Sequence, residues 1–228
     1  MISKSIESIS KKRYCLTPIT KMQNIKEISH PLIAHKLSLL REKSVDPFQF
    51  RMLIDEISYL MIFKACSDLE LKDVEITTPI CKTKGKKLKT KVMICPILRA
   101  ALGMLDAVFK IIPDASVGFL GFQRDEKSLE AKFFYAKLPK DYKDRITIVI
   151  DPMFATGGTA IDAVKFLKEK GVEKIKFISI IAAPEGLKRF SEIYPDVEVY
   201  VAAIDEGLNE KGYIVPGLGD AGDRVFNT

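Results

Sequence analysis

The residues best suited to chemistry lie in the run Ile146-Thr-Ile-Val-Ile-Asp-Pro-Met-Phe-Ala-Thr-Gly-Gly-Thr159. An apolar run delivers Asp151 at its carboxyl end. Thr156, Gly157, Gly158 and Thr159 follow, and then a helix begins. Glycines let backbone N–H groups approach a phosphate closely, a helix N-terminus favours negative charge, and two hydroxyls can donate. Asp151 can accept hydrogen bonds from sugar hydroxyls. One loop therefore combines a phosphate cradle with a carboxylate at ribose-phosphate spacing. A bare TGGT reads more simply as a strand-to-helix turn with a capping Thr; the Asp on an apolar strand reverses that preference. No GxxxxGK[ST] occurs, so this is not a Walker loop.

Three further segments carry candidate groups. Cys95-Pro-Ile-Leu-Arg-Ala-Ala-Leu-Gly-Met104 places Arg99 between a strand and a helix. An Arg there is a good phosphate ligand, although taken alone it reads equally as a solvated side chain. Gly121-Phe-Gln-Arg-Asp-Glu-Lys-Ser-Leu-Glu130 holds Arg124 and by itself is an ordinary charged hairpin tip. Near the C-terminus, Gly212-Tyr-Ile-Val-Pro-Gly-Leu-Gly-Asp-Ala-Gly-Asp-Arg-Val-Phe226 contains Gly217-x-Gly219-x-x-Gly222. That spacing matches the dinucleotide fingerprint formally. Only six residues follow Gly222, so no helix, no βαβ unit and no acid ~20 residues on are expected, and the match is rejected. A tight glycine loop facing a small planar ligand is expected instead.

The elements that must hold these groups are legible from periodicity. Apolar spacing predicts a helix from Pro31 to Glu42 and a second after Pro47, with Asp46 as its N-cap. Strands are expected over Val74–Ile80, Val92–Leu98, Ile146–Ile150, Lys174–Ala183 and Val197–Ala203. Val117–Phe122 and Phe133–Leu138 should pair as a long hairpin. Helices over about Gly158–Lys170 and Glu185–Tyr194 complete a β-α-β-α-β pattern. Crossovers of that length imply parallel strands in a doubly wound sheet, whose ligands sit beyond the carboxyl ends.

The chain has 228 residues, 47% of them hydrophobic and 29% charged, which excludes a disordered or collagen-like polymer. Its net charge of +6 hints at an anionic partner, but the charge is local. Residues 1–26 carry +5 and residues 82–91 carry six lysines and no acid, which leaves the remainder mildly acidic. The lysine run reads as a solvated loop and the first ~25 residues as a loosely ordered basic extension. Four scattered cysteines form no CxxC pair, and there are two histidines, so no metal site of that type is expected. The thiols read as reduced and cytosolic, and no apolar run is long enough to span a bilayer.

Asp-Pro-Met-Phe-Ala-Thr-Gly-Gly-Thr resembles the phosphoribosyl-pyrophosphate (PRPP) loop of phosphoribosyltransferases. Asp151-Pro152 in place of two adjacent acids points to the uracil branch. The Arg99 segment is similar to that family's pyrophosphate loop, although Ala101 stands where Gly is usual. YIVPGLGDAGDR is similar to its base-binding segment, and the likeness runs from about residue 24 to 228. The resemblance implies a type I-like phosphoribosyltransferase: a single domain over 24–228 behind an extension at 1–23, with an N-terminal helical segment, a β-hairpin arm and a C-terminal hood. It implies transfer of phosphoribose from PRPP to uracil, with Mg²⁺ carried by PRPP rather than by the protein. PRPP contacts fall on Arg99, Arg124, Asp151, Pro152, Met153, Phe154, Ala155, Thr156, Gly157, Gly158, Thr159 and Asp220. Uracil contacts fall on Ile214, Gly219, Asp220 and Ala221. Arg99 and Asp220 are the catalytic candidates. A cytoplasmic homo-oligomer and activation by GTP are further implications. The alternatives are another nucleobase as acceptor, or an RNA-binding regulator on the same fold. The lysine run favours the latter; the lack of interleaved aromatics argues against it.

Overall fold

The computed structural model describes residues 22–124 and 131–228. The basic extension and the tip of the hairpin arm lie outside the described residues. The chain enters through β1 (Ile25–Glu27), α1 (Pro31–Arg41) and α2 (Pro47–Ala65). Both helices begin with proline, which needs no N–H partner in a first turn. Asp46 caps α2 by accepting from the Gln49 N–H at 2.8 Å. His30 caps α1 through Nδ1, which accepts from the Leu32 N–H at 3.2 Å. The buried face of α2 (Phe50, Ile54, Ile57, Met61) covers one side of the sheet. Each such side chain contributes about 2 kcal/mol of transfer free energy.

A separate hairpin follows, β2 (Leu71–Thr77) against β3 (Lys82–Leu88). This corrects the expected solvated loop at 82–91, whose lysines lie mostly on a strand. The register explains it: Lys86 faces and pairs with Asp73, and Lys84 faces Glu75. Beyond the strand, Lys89 pairs with Glu70 at 2.8 Å. Opposite charges across a ladder stabilise it modestly. The first strand also ends earlier than the Ile80 expected, because Thr78 turns the chain by accepting from the N–H groups of Ile80 and Cys81.

The remaining elements are β4 (Val92–Leu98), a 3₁₀ turn (Ala100–Met104), α3 (Leu105–Ile111), β5 (Ser116–Val117), β6 (Phe119–Arg124) and β7 (Ala131–Lys137). Then come β8 (Ile146–Ile150), β9 (Met153–Phe154), α4 (Gly158–Glu169), β10 (Ile175–Ala182), α5 (Pro184–Ile193) and β11 (Glu198–Ile204). The chain closes with β12 (Gly207–Leu208), β13 (Ile214–Val215) and α6 (Ala221–Phe226).

The central sheet runs β1-β11-β10-β8-β4-β6-β7, with β5 beside β4 and β9 beside β10. All its pairings are parallel except β6–β7, the arm. Its two faces bury separate clusters. One lies under α1, α2 and α3 and the other under α4 and α5. Helices on both faces explain why β4, β8 and β10 are nearly all apolar rather than alternating. The expected doubly wound, mostly parallel sheet with a hairpin is therefore present. A short helix does follow the C-terminal glycines, against expectation: Asp220 caps α6 by accepting from the Asp223 N–H at 3.0 Å. It is six residues long and belongs to no βαβ unit, so the dinucleotide reading still fails.

Candidate active site

A cleft of about 1080 Å³ opens beyond the carboxyl ends of β4 and β8. Three segments distant in sequence meet there. They are the Arg99 turn, the 151–159 loop, and the hood that runs from Gly212 through α6.

The 151–159 loop is built tightly. Asp151 leaves β8 with its N–H donated to the Ile178 carbonyl at 3.1 Å. The Pro152 carbonyl accepts from both Ile180 and Ile181, at 3.2 and 3.1 Å. The Phe154 ring packs edge-on against Phe177 and Phe190. Pro152 does not line the cleft; Phe154 does, and is almost fully buried. Gly157 caps α4 at φ +76°, where a side chain would be strained. Its neighbour is Gly186 of α5, where an added Cβ would sit 2.1 Å from the Ala155 carbonyl oxygen. The two glycines let α5 press directly on the loop. At Gly158 an added Cβ would meet only Thr156 Oγ1 at 3.6 Å, so the space in front of the α4 N-terminus is open.

Asp151 reaches the cleft floor. Its Oδ1 accepts from the Met153 N–H at 3.2 Å. Burial pushes its carboxyl up to about 7, the Met153 hydrogen bond opposes the rise, and the nearby Asp220 charge adds to it. The two carboxylates thus share one cavity.

Arg99 stands at the end of β4, where the Leu98–Arg99 peptide is cis. Its side chain is 63% exposed, with Nη2 3.7 Å from Asp223 Oδ1 and the guanidinium 5.9 Å from the Phe226 ring. It therefore faces the hood across the cleft. Ala101, placed where the family usually has glycine, is fully buried in the helical core, so its methyl is accommodated. Arg124 ends β6, and its side chain lies outside the described residues.

The hood passes through β13, which pairs with β12, and turns at Gly217 (φ +66°) and Gly219 (φ +81°), beyond a cis Val215–Pro216 peptide. Ile214, Gly219, Asp220 and Ala221 all line the cleft. Leu218, Ala221 and Val225 anchor the segment in the core. Several residues that the sequence reading did not single out also matter. Tyr213, Phe134, Asp162 and Arg189 line the cleft. Arg224 fastens the hood from beneath: it donates to the carbonyls of Leu40, Leu218 and Glu42 at 2.9, 2.8 and 2.7 Å. Its guanidinium lies 4.2 Å from the centre of the Phe50 ring. Arg224 closes the YIVPGLGDAGDR segment, but that segment gave it no role, because its partners are main-chain carbonyls of α1, of the residue after α1 and of the hood itself.

The doubly wound sheet places an acid and a glycine-turn helix at the end of β8 and an arginine turn at the end of its neighbour β4, the arrangement that the resemblance to type I phosphoribosyltransferases implies. The comparisons narrow this. The family model for uracil phosphoribosyltransferase matches residues 27–228. The chain is 79% identical over 207 residues to the uracil phosphoribosyltransferase of Campylobacter fetus, covering 91% of this chain and 99% of that one. It is 53% identical to that of Clostridium tetani, over 91% of this chain and all of the relative. The solved structure of the AQ2163 protein from Aquifex aeolicus superposes with a TM-score of 0.84 at 41% identity, over 89% of this chain and 97% of that one. The chain belongs to the uracil phosphoribosyltransferase family.

Proposed function

We propose that this chain transfers the 5-phosphoribosyl group of PRPP to uracil, giving UMP and pyrophosphate. One observation carries the reading: the phosphate loop, Arg99 and the glycine hood line a single cleft. Family membership supports it. Thr156–Thr159 and the N-terminus of α4 hold the 5′-phosphate, and Asp151 accepts from the ribose hydroxyls. Arg99, joined by Arg124 from the arm, offsets the charge that builds on the leaving pyrophosphate as the C1–O bond breaks. Uracil N1 forms the new bond to C1. Asp220 is the acceptor for its proton, and it also fixes the α6 turn. Backbone groups of Ile214, Gly219 and Ala221 match the acceptor-donor-acceptor edge of uracil. Cytosine would leave a donor unpaired there, which is costly in a desolvated site.

Among the described residues no cluster of three or more His, Cys, Asp or Glu is arranged to hold a metal ion. The two carboxylates that share the cleft suit a Mg²⁺ that arrives on PRPP; such an ion neutralises pyrophosphate charge. No described helix is long and apolar enough to cross a membrane. The protein is read as a homo-oligomer, and GTP activation would appear as higher turnover on adding GTP to the same assay. The deciding experiment follows pyrophosphate release with PRPP and Mg²⁺ against uracil, cytosine, hypoxanthine and orotate. Activity with uracil alone is expected. Activity with hypoxanthine or orotate but not uracil would overturn the reading. RNA binding with a steep salt slope and no UMP formation would favour the regulator instead.

A further inference from the structure

We infer that Arg41 and Asp205 are positioning residues for base recognition, acting through the two peptide groups of Gly217. The inference rests on the reading of the hood as the uracil site. Asp205 directly follows β11 and is tied to the sheet by its N–H, which donates to the Ala182 carbonyl at 2.8 Å. Arg41 ends α1. The two side chains form a forked pair: Nη1 reaches Asp205 Oδ2 at 2.8 Å and Nη2 reaches Oδ1 at 2.5 Å. Only 3% of the Asp205 side chain is exposed.

The pair also closes on the hood from both sides of one residue. Asp205 Oδ2 accepts from the Gly217 N–H at 2.9 Å, and Arg41 Nη1 donates to the Gly217 carbonyl at 2.6 Å. A buried ion pair is weak evidence for stability as such, because desolvation offsets much of its attraction. A pair that spends two further hydrogen bonds on one glycine is better explained by the geometry it fixes.

That glycine is the pivot of the hood. Its φ of +66° favours glycine, and an added Cβ would lie 2.2 Å from the Ile214 carbonyl oxygen. Ile214 lies three residues before it, and Gly219 and Asp220 lie two and three after. Once both peptide planes at Gly217 are fixed, one link, Leu218, separates them from the Gly219 backbone. Leu218 is itself buried and is held at its carbonyl by Arg224. Main-chain recognition of a base edge requires donors and acceptors held near hydrogen-bond geometry. The Arg41–Asp205 pair references that loop to the sheet and to α1, so the hood is held to the same frame as the phosphate loop.

The test uses the full-length protein with the near-isosteric Asp205→Asn and the charge-conserving Arg41→Lys, and Arg41→Ala as the harsher form. In steady-state assays the KM for uracil is expected to rise about ten-fold or more, with the KM for PRPP and the kcat at saturating uracil within about three-fold. Discrimination against cytosine should fall in parallel. Arg41→Lys keeps the charge but loses the fork, so it should not rescue. A merely structural role would lower the active fraction, and so kcat, while leaving both KM values alone. Folded variants with that pattern would overturn the inference, as would an unchanged KM for uracil. If Arg41→Ala fails to fold, the two conservative variants decide. A wild-type protein that makes no UMP would instead overturn the functional reading beneath it.

Discussion

Arg99 and Asp151 face the same cleft under opposite constraints. Arg99 is largely exposed and, among the described residues, has a single ion contact, at 3.7 Å. Its removal should barely touch the fold. Arg99→Ala is expected to lower kcat by about 100-fold or more, with the melting temperature within about 2 °C of wild type. Near-normal UMP formation by a folded variant would contradict its assigned role. Asp151 is the reverse case, because burial pushes its carboxyl up to about 7. Between about pH 4 and pH 7 the folded protein retains a proton there that the unfolded chain has released. Stability from this group is therefore highest in acid and declines as pH rises toward 7. Asp151→Asn should abolish that decline and stabilise the ligand-free protein at pH 8 by about 1–2 kcal/mol while it abolishes PRPP binding. Denaturant titrations at pH 5 and pH 8 check it; a variant less stable at both would refute the account. Ribose hydroxyls that donate to Asp151 favour its ionised form, so PRPP binding near pH 6.5 should release a proton.

At the scale of elements, the junction between α4 and α5 separates two kinds of glycine. At Gly186 an alanine would force its Cβ against the Ala155 backbone, and Gly186→Ala should cost about 1–3 kcal/mol of stability. At Gly158 a Cβ has room, and alanine is a better helix former. Gly158→Ala should therefore fold normally yet raise the KM for PRPP about ten-fold, because its methyl occupies the space where backbone N–H groups would meet phosphate. Paired melting curves and kinetics distinguish the two; a Gly158→Ala enzyme with wild-type KM would remove Gly158 from the site. The β8-α4-β10-α5-β11 run was legible in the sequence because buried parallel strands read as unbroken apolar stretches between amphipathic helices. The two-residue pairings β9, β12 and β13 were not, because two residues carry no periodicity. Nor was α6, whose six residues rely on the Asp220 cap and on Val225 packed against the core.

Across the whole molecule, apolar side chains remain on the outside in an ordered way. Phe48, Met52, Tyr59 and Phe63 are exposed along α2, the last at 69%, and Ile80 at the tip of the β2–β3 hairpin is 94% exposed. A two-stranded hairpin is marginal alone, and exposed stripes of this kind mark interaction surfaces. The homo-oligomer reading therefore expects a dimer or larger species in sedimentation. Phe63→Asp or Ile80→Asp should shift that species toward monomer, and a wild-type monomer at micromolar concentration would refute it. The +6 net charge, which first suggests nucleic acid, resolves differently. Part of the lysine run is neutralised across the hairpin by Asp73 and Glu70.

By itself the sequence determined which local segments line the cleft and the sheet that carries them. Both are local properties: glycines and hydroxyls next to a helix start, an acid at the end of an apolar strand, and crossovers that fit only parallel pairing. Tertiary structure alone decided how those segments face each other. Arg41 and Asp205 are 164 residues apart and the sequence reading gave neither a role, yet together they hold the glycine on which the hood turns. Arg224 grips carbonyls that any sequence would supply. Interactions with backbone leave no signature in side-chain order, because their specificity comes from where the chain has been brought.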